Sequence, residues 1–195
     1  MDEQRRDLMG AGIAGAVLLA GLPASRAAAM APALDAIPPQ PLKPTPGKPG
    51  DFDFLTGEWR IHHWQPKKDS TEWIEFDGGA TVTGILAGIA SIEELRIPAR
   101  NFSGMGLRLL DVEKKVWSDF WVNSRSGVLA PPGVTGSFEN GAGIFISDDE
   151  EDGKPLKVAG IWDLITLASC RWRQALSRDG GKTWEQTWIM HWRRA

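Results

Sequence analysis

The sequence predicts an all-β domain that closes into a single up-and-down antiparallel β-barrel of about 8–10 strands. After Gly50, short runs of β-branched and aromatic residues recur roughly every 8–12 residues and are broken by Gly, Asn, Asp or Pro. No amphipathic helix of convincing length is present, and only a turn around 52–56 is expected to be helical. Because short turns favour a meander, and a small sheet removes its exposed edges best by closing on itself, a barrel is expected.

Composition and charge limit the possible functions. The chain has 195 residues, 42% of them hydrophobic and 24% charged, which suits one globular domain with flanking segments. The net charge of -3 arises without any run of Lys or Arg, so no nucleic-acid partner is expected. Ten Trp and seven Phe accompany no Tyr, so large rings are expected to fill the barrel and partly to line a pocket. Cys170, the single cysteine, is expected to be a buried apolar residue.

Residues 1–29 are predicted to be a twin-arginine signal peptide. Arg5 and Arg6 precede an apolar run over 8–22 that is too short to span a bilayer, and the small residues 27–29 supply an Ala-x-Ala cleavage site. The arginine pair favours the twin-arginine route. We therefore expect a periplasmic or secreted protein with no membrane span after signal cleavage.

Residues 30–50 are predicted to be a Pro-rich linker, because closely spaced prolines and almost no apolar periodicity are typical of an extended segment. The barrel domain is then expected to occupy 51–195. Its candidate strands are 58–65, 72–76, 80–86, 90–97, 105–110, 116–122, 134–138, 143–147, 156–162, 170–176 and 183–192.

The clearest hairpin joins the last two candidate strands. Its turn, S-R-D-G-G-K-T-W at 177–184, contains the Asp-Gly-Gly that supplies positive φ angles. The turn also matches the Asp-box of sialidases, but a propeller needs repeated boxes and this chain has one. We therefore expect Asp179 to bind the backbone of its own turn.

A family resemblance covers nearly all of 51–195. It is carried by D-F-D-F-L-T-G-E-W at 51–59, W-I-E-F-D-G at 73–78, the turn at 177–184, and W-I-M at 188–190. In this order the segments resemble a family of little-characterised exported bacterial proteins with a calycin barrel, the fold of lipocalins and fatty-acid-binding proteins. The resemblance implies a fold more than a function.

The resemblance also implies a structural pair at one end of the barrel. In calycins the Trp of the G-x-W motif closes the barrel, and an Arg of the last strand packs over its ring as a cation–π contact. In this chain the resemblance implies these roles for Trp59 and for Arg193 or the neighbouring Arg194.

Strand periodicity predicts which side chains face inward, because alternate residues share a face. In the last strand, Trp188 and Met190 share an apolar face with Trp184, Gln186 and Trp192, which leaves Thr187 and His191 outside. The predicted ligand-binding residues are Trp121, Trp172, Gln174, Gln186, Trp188 and Met190.

Three polar residues are candidates for proton transfer, and they are expected to be catalytic only if the protein is an enzyme. His63 shares the inward face with Trp59, Glu75 lies between Ile74 and Phe76, and Asp119 lies near two tryptophans. Burial would raise the pKa of either carboxylate and make it an acid or base for His63. Alternatively, these polar groups bond to each other or face water.

No metal and no cofactor are expected. His62 and His63 are adjacent, so they cannot both reach one ion, and His191 is predicted to face outward. A haem would need an inward histidine, and only His63 qualifies; a hydrogen-bonded wall histidine is favoured over it.

The sequence leaves two functions open. The first is an exported lipocalin-like protein that binds a small hydrophobic or aromatic molecule in a Trp-lined cavity. The second is an enzyme, an isomerase, hydratase or lyase, that acts on a hydrophobic molecule by acid/base chemistry in the same cavity.

Overall fold

Ten antiparallel strands form a closed up-and-down barrel in the computed structural model, which describes residues 45–68 and 70–195. Each strand pairs with its neighbours in the chain, and the first pairs with the last, as the predicted fold class requires. The strands are β1 (Gly57–Pro66), β2 (Trp73–Ile85), β3 (Ala90–Ile97), β4 (Phe102–Asp111), β5 (Val116–Asn123), β6 (Val134–Glu139), β7 (Ala142–Glu151), β8 (Lys154–Asp163), β9 (Ser169–Ser177) and β10 (Glu185–Arg194).

Closure of the barrel is made by β1 and β10. Their register runs from Trp59 opposite Arg194 to Trp64 opposite Ile189. Closure pairs the first strand with the last, so neither is left as an open edge of the sheet. The fold is the calycin-like barrel that the sequence predicts.

The predicted signal peptide lies outside the described residues, as does most of the predicted linker. The last six residues of that linker, 45–50, lie against the barrel. The Thr45 hydroxyl donates to the Phe138 carbonyl at 2.6 Å, and the Gly47 amide donates to the Lys115 carbonyl at 2.7 Å. The packed unit therefore begins before residue 51.

One long strand, β2, replaces the two predicted runs at 72–76 and 80–86. The glycines between those runs were expected to break a strand, but here they allow close approach. A Cβ at Gly78 would stand 2.7 Å from both His63 Nε2 and the Arg96 carbonyl oxygen. Glycine within a strand often marks such an approach, and periodicity cannot distinguish it from a turn.

One end of the barrel is plugged by aromatic side chains. A 3₁₀ turn over Asp53–Leu55, within the expected helical turn, follows Phe52. The Phe52 ring meets both Trp117 and Phe138 edge-on, with centroids 4.9 Å apart in each pair. Such edge-to-face contacts add to the free energy that burial of the rings supplies.

The β9–β10 hairpin turn has the structure that the sequence predicts. The Asp179 carboxylate accepts hydrogen bonds from the Ser177 hydroxyl, the Lys182 amide, and both the amide and hydroxyl of Thr183. These bonds favour the ionised form and hold the pKa of Asp179 well below its usual range. The turn is therefore held by its own aspartate, as expected.

Candidate ligand-binding cavity

The barrel encloses a cavity of about 170 Å³. Strands β5 and β6 pair over only three residues each, 117–119 with 134–136, and separate beyond them. The loop between the strands contributes Ser126 and Val128 to the cavity wall, and Val128 is half-exposed at its rim. The cavity therefore opens at the gap between β5 and β6, at the opposite end from the aromatic plug.

Three of the predicted ligand-binding tryptophans line this cavity, Trp121, Trp172 and Trp188. The rings of Trp172 and Trp188 meet edge-on with their centroids 6.0 Å apart. Trp121 stacks on Phe102 at 6.4 Å near the gap. Indole surface thus faces the cavity from β5, β9 and β10.

Gln174 and Met190 also line the cavity, and both are buried. The Gln174 side-chain oxygen accepts a hydrogen bond from the Thr187 hydroxyl at 3.0 Å. Thr187 was expected on the outer face, but it is the extra residue of a β-bulge and reaches an inward side chain.

The same bulge places Gln186 outside the cavity, contrary to the predicted face. Gln186 lies opposite Ala175, whereas Trp188 lies opposite Gln174, so the register shifts between them. Gln186 accepts from Arg173 on the outer face, at 3.5 Å. Because one extra residue reverses the alternation, every side chain of β10 before the bulge changes face.

Trp184 is displaced by the same reversal. It packs against Ile144, Ala159 and Ile161 in a separate apolar cluster, and it does not line the cavity. Its indole N–H donates to the Gly181 carbonyl at 3.1 Å. Trp184 therefore belongs to the hairpin and the outer face.

A buried polar cluster lies at the inner end of the cavity and was not predicted, apart from Asp119. The Arg108 guanidinium donates to Glu93 at 2.5 Å, and its Nε lies 3.6 Å from Asp119. Both Arg108 and Glu93 have side chains only 3–5% exposed. Placing apolar residues inward would not reveal these two residues, because Ile92 and Leu107 are apolar residues on the outer face and their polar neighbours face inward.

Asp119 lines the cavity as expected and lies beside this cluster. Burial raises its pKa to about 6, and the nearby Glu93 adds to the rise while Arg108 opposes it. The carboxyl is therefore close to half-protonated near pH 6 and can donate or accept a proton in the cavity.

His63 is inward but does not line the cavity. Its side chain is fully buried, and its Nδ1 accepts from the indole N–H of Trp188 at 3.1 Å. The imidazole stacks on Phe76 at 4.7 Å, and the Arg100 guanidinium covers the other side of Phe76 at 3.5 Å. Burial, aided by the charge of Arg100, lowers the pKa of His63 to about 3.

Glu75 lies on the outer face, so the structure does not bring the predicted His63–Glu75 pair together. Its carboxylate contacts His62 Nε2 at 3.1 Å, and Asp77 contacts the Nδ1 of the same ring at 2.6 Å. The reason is strand alternation: Glu75 lies opposite Trp64, one residue out of step with His63. Asp119 is the only one of the three candidate residues in the cavity wall.

Trp59 closes the plugged end, and the arginine over it is Arg194 rather than Arg193. The Arg194 guanidinium carbon lies 4.0 Å from the Trp59 ring centroid and also donates to the carbonyls of Phe54 and Thr56. Arg193 is exposed, because it follows the alternation of β10 to the outside. The resemblance predicted the contact, and the alternation decides which arginine makes it.

Residues 45–68 and 70–195 contain neither a grouped set of metal ligands nor a thiolate cysteine. In that part of the chain no three His, Cys, Asp or Glu side chains are grouped closely enough to hold a metal ion. Burial raises the pKa of the Cys170 thiol to about 12, so it is not a thiolate at neutral pH. Among the same residues, no helix has the length and apolarity needed to cross a membrane.

Sequence comparison assigns the chain to no family, because no family model and no curated protein matches it. Solved structures do resemble it. Rv2717c from M. tuberculosis is 11% identical with a TM-score of 0.46, over 74% of this chain and 94% of that one. The S-type phycobiliprotein lyase CPES from Guillardia theta is 11% identical with a TM-score of 0.47, over 74% and 90%.

A third structure belongs to a DUF3598-family protein of unknown function from Nostoc punctiforme. It is 14% identical with a TM-score of 0.41, and the match covers 79% of this chain and 53% of that protein. The strand order and the cavity define the class, a closed up-and-down antiparallel barrel with an open, tryptophan-lined cavity. Function has to be argued from the residues of that cavity.

Proposed function

We propose that this chain is an exported protein that binds one small apolar or aromatic molecule in the barrel cavity. The observation that carries the proposal is the cavity itself, which is open at the β5–β6 gap and faced by Trp121, Trp172 and Trp188. Ligand sites are typically concave, mostly apolar and provided with a few polar groups. Export is supported by the features of residues 1–29.

The size of the cavity limits the ligand. An apolar cavity of about 150 Å³ in another protein is large enough to bind benzene. The cavity here is about 170 Å³ and continues toward the gap between β5 and β6. It therefore suits a molecule of one or two rings whose far end reaches the rim.

The enzyme alternative has less support. It needs a pair of groups for proton transfer, and the structure separates the candidates: His63 lies behind Trp188, and Glu75 lies outside the barrel. Of the three candidates only Asp119 remains in the cavity wall, beside its partner Arg108. Binding requires only the apolar walls, so it is the function that the geometry supports best.

Titration with the fluorescent probe N-phenyl-1-naphthylamine tests the proposal. The wild-type barrel is expected to bind the probe with enhanced emission, and Trp188→Ala is expected to weaken binding about tenfold because the cavity loses apolar contact area. Trp184→Ala is the matched control, since that indole packs on the outer face.

Unchanged affinity in the Trp184 variant together with weakened affinity in the Trp188 variant would locate the probe in the cavity. Equal effects of the two substitutions, or no emission change with wild type, would contradict a binding cavity. Circular dichroism of each variant establishes that it is folded.

A further inference from the structure

We infer that the ligand is an electrically neutral molecule that presents a carbonyl-type acceptor oxygen to Arg108 at the inner end of the cavity. This inference rests on the proposed binding function and specifies the chemistry of the molecule bound. It follows from two properties of the inner end, an excess of unpartnered donors and a cation that already faces two carboxyl groups.

The unpartnered donors are the first property. Arg108 Nε and Nη1 are buried and have no hydrogen-bond partner, although the side chain is only 5% exposed. The indole N–H groups of Trp162 and Trp192 are also buried without partners. All three residues line the cavity, and the Arg108 guanidinium lies 5.4 Å from the Trp162 ring.

Buried donors without partners lose free energy relative to their hydrated state, and that loss is recovered when an acceptor reaches them. The donors come from opposite sides of the barrel, Arg108 from β4 and the two tryptophans from β8 and β10, and all three residues line the same cavity. A ligand oxygen with two lone pairs placed at the inner end would accept from the guanidinium and from an indole. An entirely hydrocarbon ligand would leave all of these donors unsatisfied.

The charge at the inner end is the second property, and it selects a neutral acceptor. Glu93 already pairs with Arg108 at 2.5 Å, and Asp119 approaches the same guanidinium at 3.6 Å. One cation therefore faces two carboxyl groups, and a ligand carboxylate would add a third in a poorly solvated space. Like charges repel strongly where the effective dielectric constant is low. A ketone, lactone or amide oxygen uses the same donors without this repulsion.

Three ligands with one naphthalene body and different head groups test the inference in the wild-type protein. They are 2-acetylnaphthalene, 2-naphthoate and 2-isopropylnaphthalene, which carry a neutral carbonyl, a carboxylate and no acceptor. Their affinities are measured at pH 8 by displacement of N-phenyl-1-naphthylamine. The ketone is expected to bind about tenfold more tightly than the hydrocarbon, as one hydrogen bond to a charged donor allows, and the carboxylate is expected to bind most weakly.

Variants then locate the donor. Replacing the whole ion pair, with Arg108→Met and Glu93→Leu together, avoids leaving one buried charge unpaired. This double variant is expected to bind the hydrocarbon but to lose the preference for the ketone. Arg178→Met with Glu151→Leu is the control, because this Arg–Glu pair is exposed and lies outside the cavity wall, and its variant is expected to keep the preference.

The outcomes separate the two claims. Tightest binding of the carboxylate, equal binding of all three ligands, or loss of the preference in the Arg178/Glu151 variant would overturn the inference while leaving a binding cavity in place. If none of the three ligands displaces the probe and the probe itself does not bind, the proposed function fails and the inference fails with it. If the double variant does not fold, the ranking in the wild type still decides.

Discussion

At the scale of single residues, Trp59 holds the closed end together. Its indole is buried, its N–H donates to the Leu55 carbonyl at 2.6 Å, and its ring lies against both Arg194 and Trp192. One side chain thus joins the amino-terminal 3₁₀ turn to the last strand. Removing it opens a cavity among groups that cannot all move inward.

Truncation of Trp59 is expected to be costly. Trp59→Ala should lower the free energy of unfolding by about 3–5 kcal/mol, as truncations of large buried aromatics do. Arg193→Ala, at an exposed site on the same strand end, should change it by no more than about 0.5 kcal/mol. Urea unfolding followed by far-ultraviolet circular dichroism measures both, and a Trp59 variant as stable as wild type would show that the plug is unimportant.

Two inward-facing titratable residues give the free energy of unfolding opposite dependences on pH. The pKa of His63 falls from 6.5 to about 3 on folding, so the unfolded chain takes up this proton first and stability is lost as pH falls below 6.5. The pKa of Asp119 rises from 3.8 to about 6, so the folded chain takes up that proton first and stability is gained as pH falls between 6 and 3.8.

Substitution should separate these two contributions. Between pH 7 and pH 5, His63→Gln is expected to remove about 2 kcal/mol of acid-induced destabilisation, and Asp119→Asn is expected to remove about 1 kcal/mol of compensating stabilisation. From these two groups, between pH 7 and pH 5 the wild type is expected to lose about 1 kcal/mol of unfolding free energy, His63→Gln to gain about 1 kcal/mol, and Asp119→Asn to lose about 2 kcal/mol. The same slope in all three proteins would show that neither pKa is shifted by folding.

At the scale of the strands, alternation predicted most inward faces, and a single bulge accounts for the main exception. Trp172, Gln174, Trp188 and Met190 line the cavity as expected, while Gln186 does not. A bulge depends on hydrogen bonding between two strands, so the composition of one strand does not reveal it. Composition also fails for β2, because the adjacent Gly78 and Gly79 are typical of a turn but lie within the strand.

The polar inner end could not be predicted for a different reason. Arg108 alternates with outward Leu107 and Leu109, so the apolar residues of β4 mark the wrong face. A rule that places apolar residues inward reverses this strand. The available signal was the inner pair Gly104 and Gly106, whose lack of side chains leaves room for Trp121 and Arg108.

The close approach within β2 leads to a prediction for that strand. Gly78→Ala should destabilise the barrel by about 1–3 kcal/mol, because its Cβ would stand 2.7 Å from the Arg96 carbonyl and from the His63 ring. Gly160→Ala is the matched control, since the nearest atom to its Cβ is the Trp172 Nε1 at 3.5 Å, an ordinary contact. Thermal unfolding compares the two, and equal melting temperatures would show that β2 accommodates a side chain at 78.

At the scale of the whole molecule, the barrel is proposed to act outside the cytoplasm. Amino-terminal sequencing of protein from the periplasm or medium of an expressing bacterium is expected to begin after Ala29, at Met30. Replacing Arg5 and Arg6 with Lys should leave full-length precursor in the cytoplasm. Undiminished export of that variant would contradict the twin-arginine route, and an unprocessed wild-type chain would contradict export.

Closure places the plug and the mouth of the cavity at opposite ends of one barrel, so sealing the barrel and admitting a ligand depend on different residues. Trp59 and Arg194 seal one end, whereas Trp121 lies near the gap between β5 and β6 at the other. Substitutions in the plug are therefore expected to act on unfolding, and substitutions at the cavity wall on binding. The ligand cavity is the part of this account on which the function depends.

A crystal structure of the barrel with bound N-phenyl-1-naphthylamine tests the ligand cavity most directly. The account predicts the probe inside the barrel, in van der Waals contact with Trp172 and Trp188, with one end toward the gap between β5 and β6. An interior filled by side chains, or a probe found only on the outer surface, would contradict it.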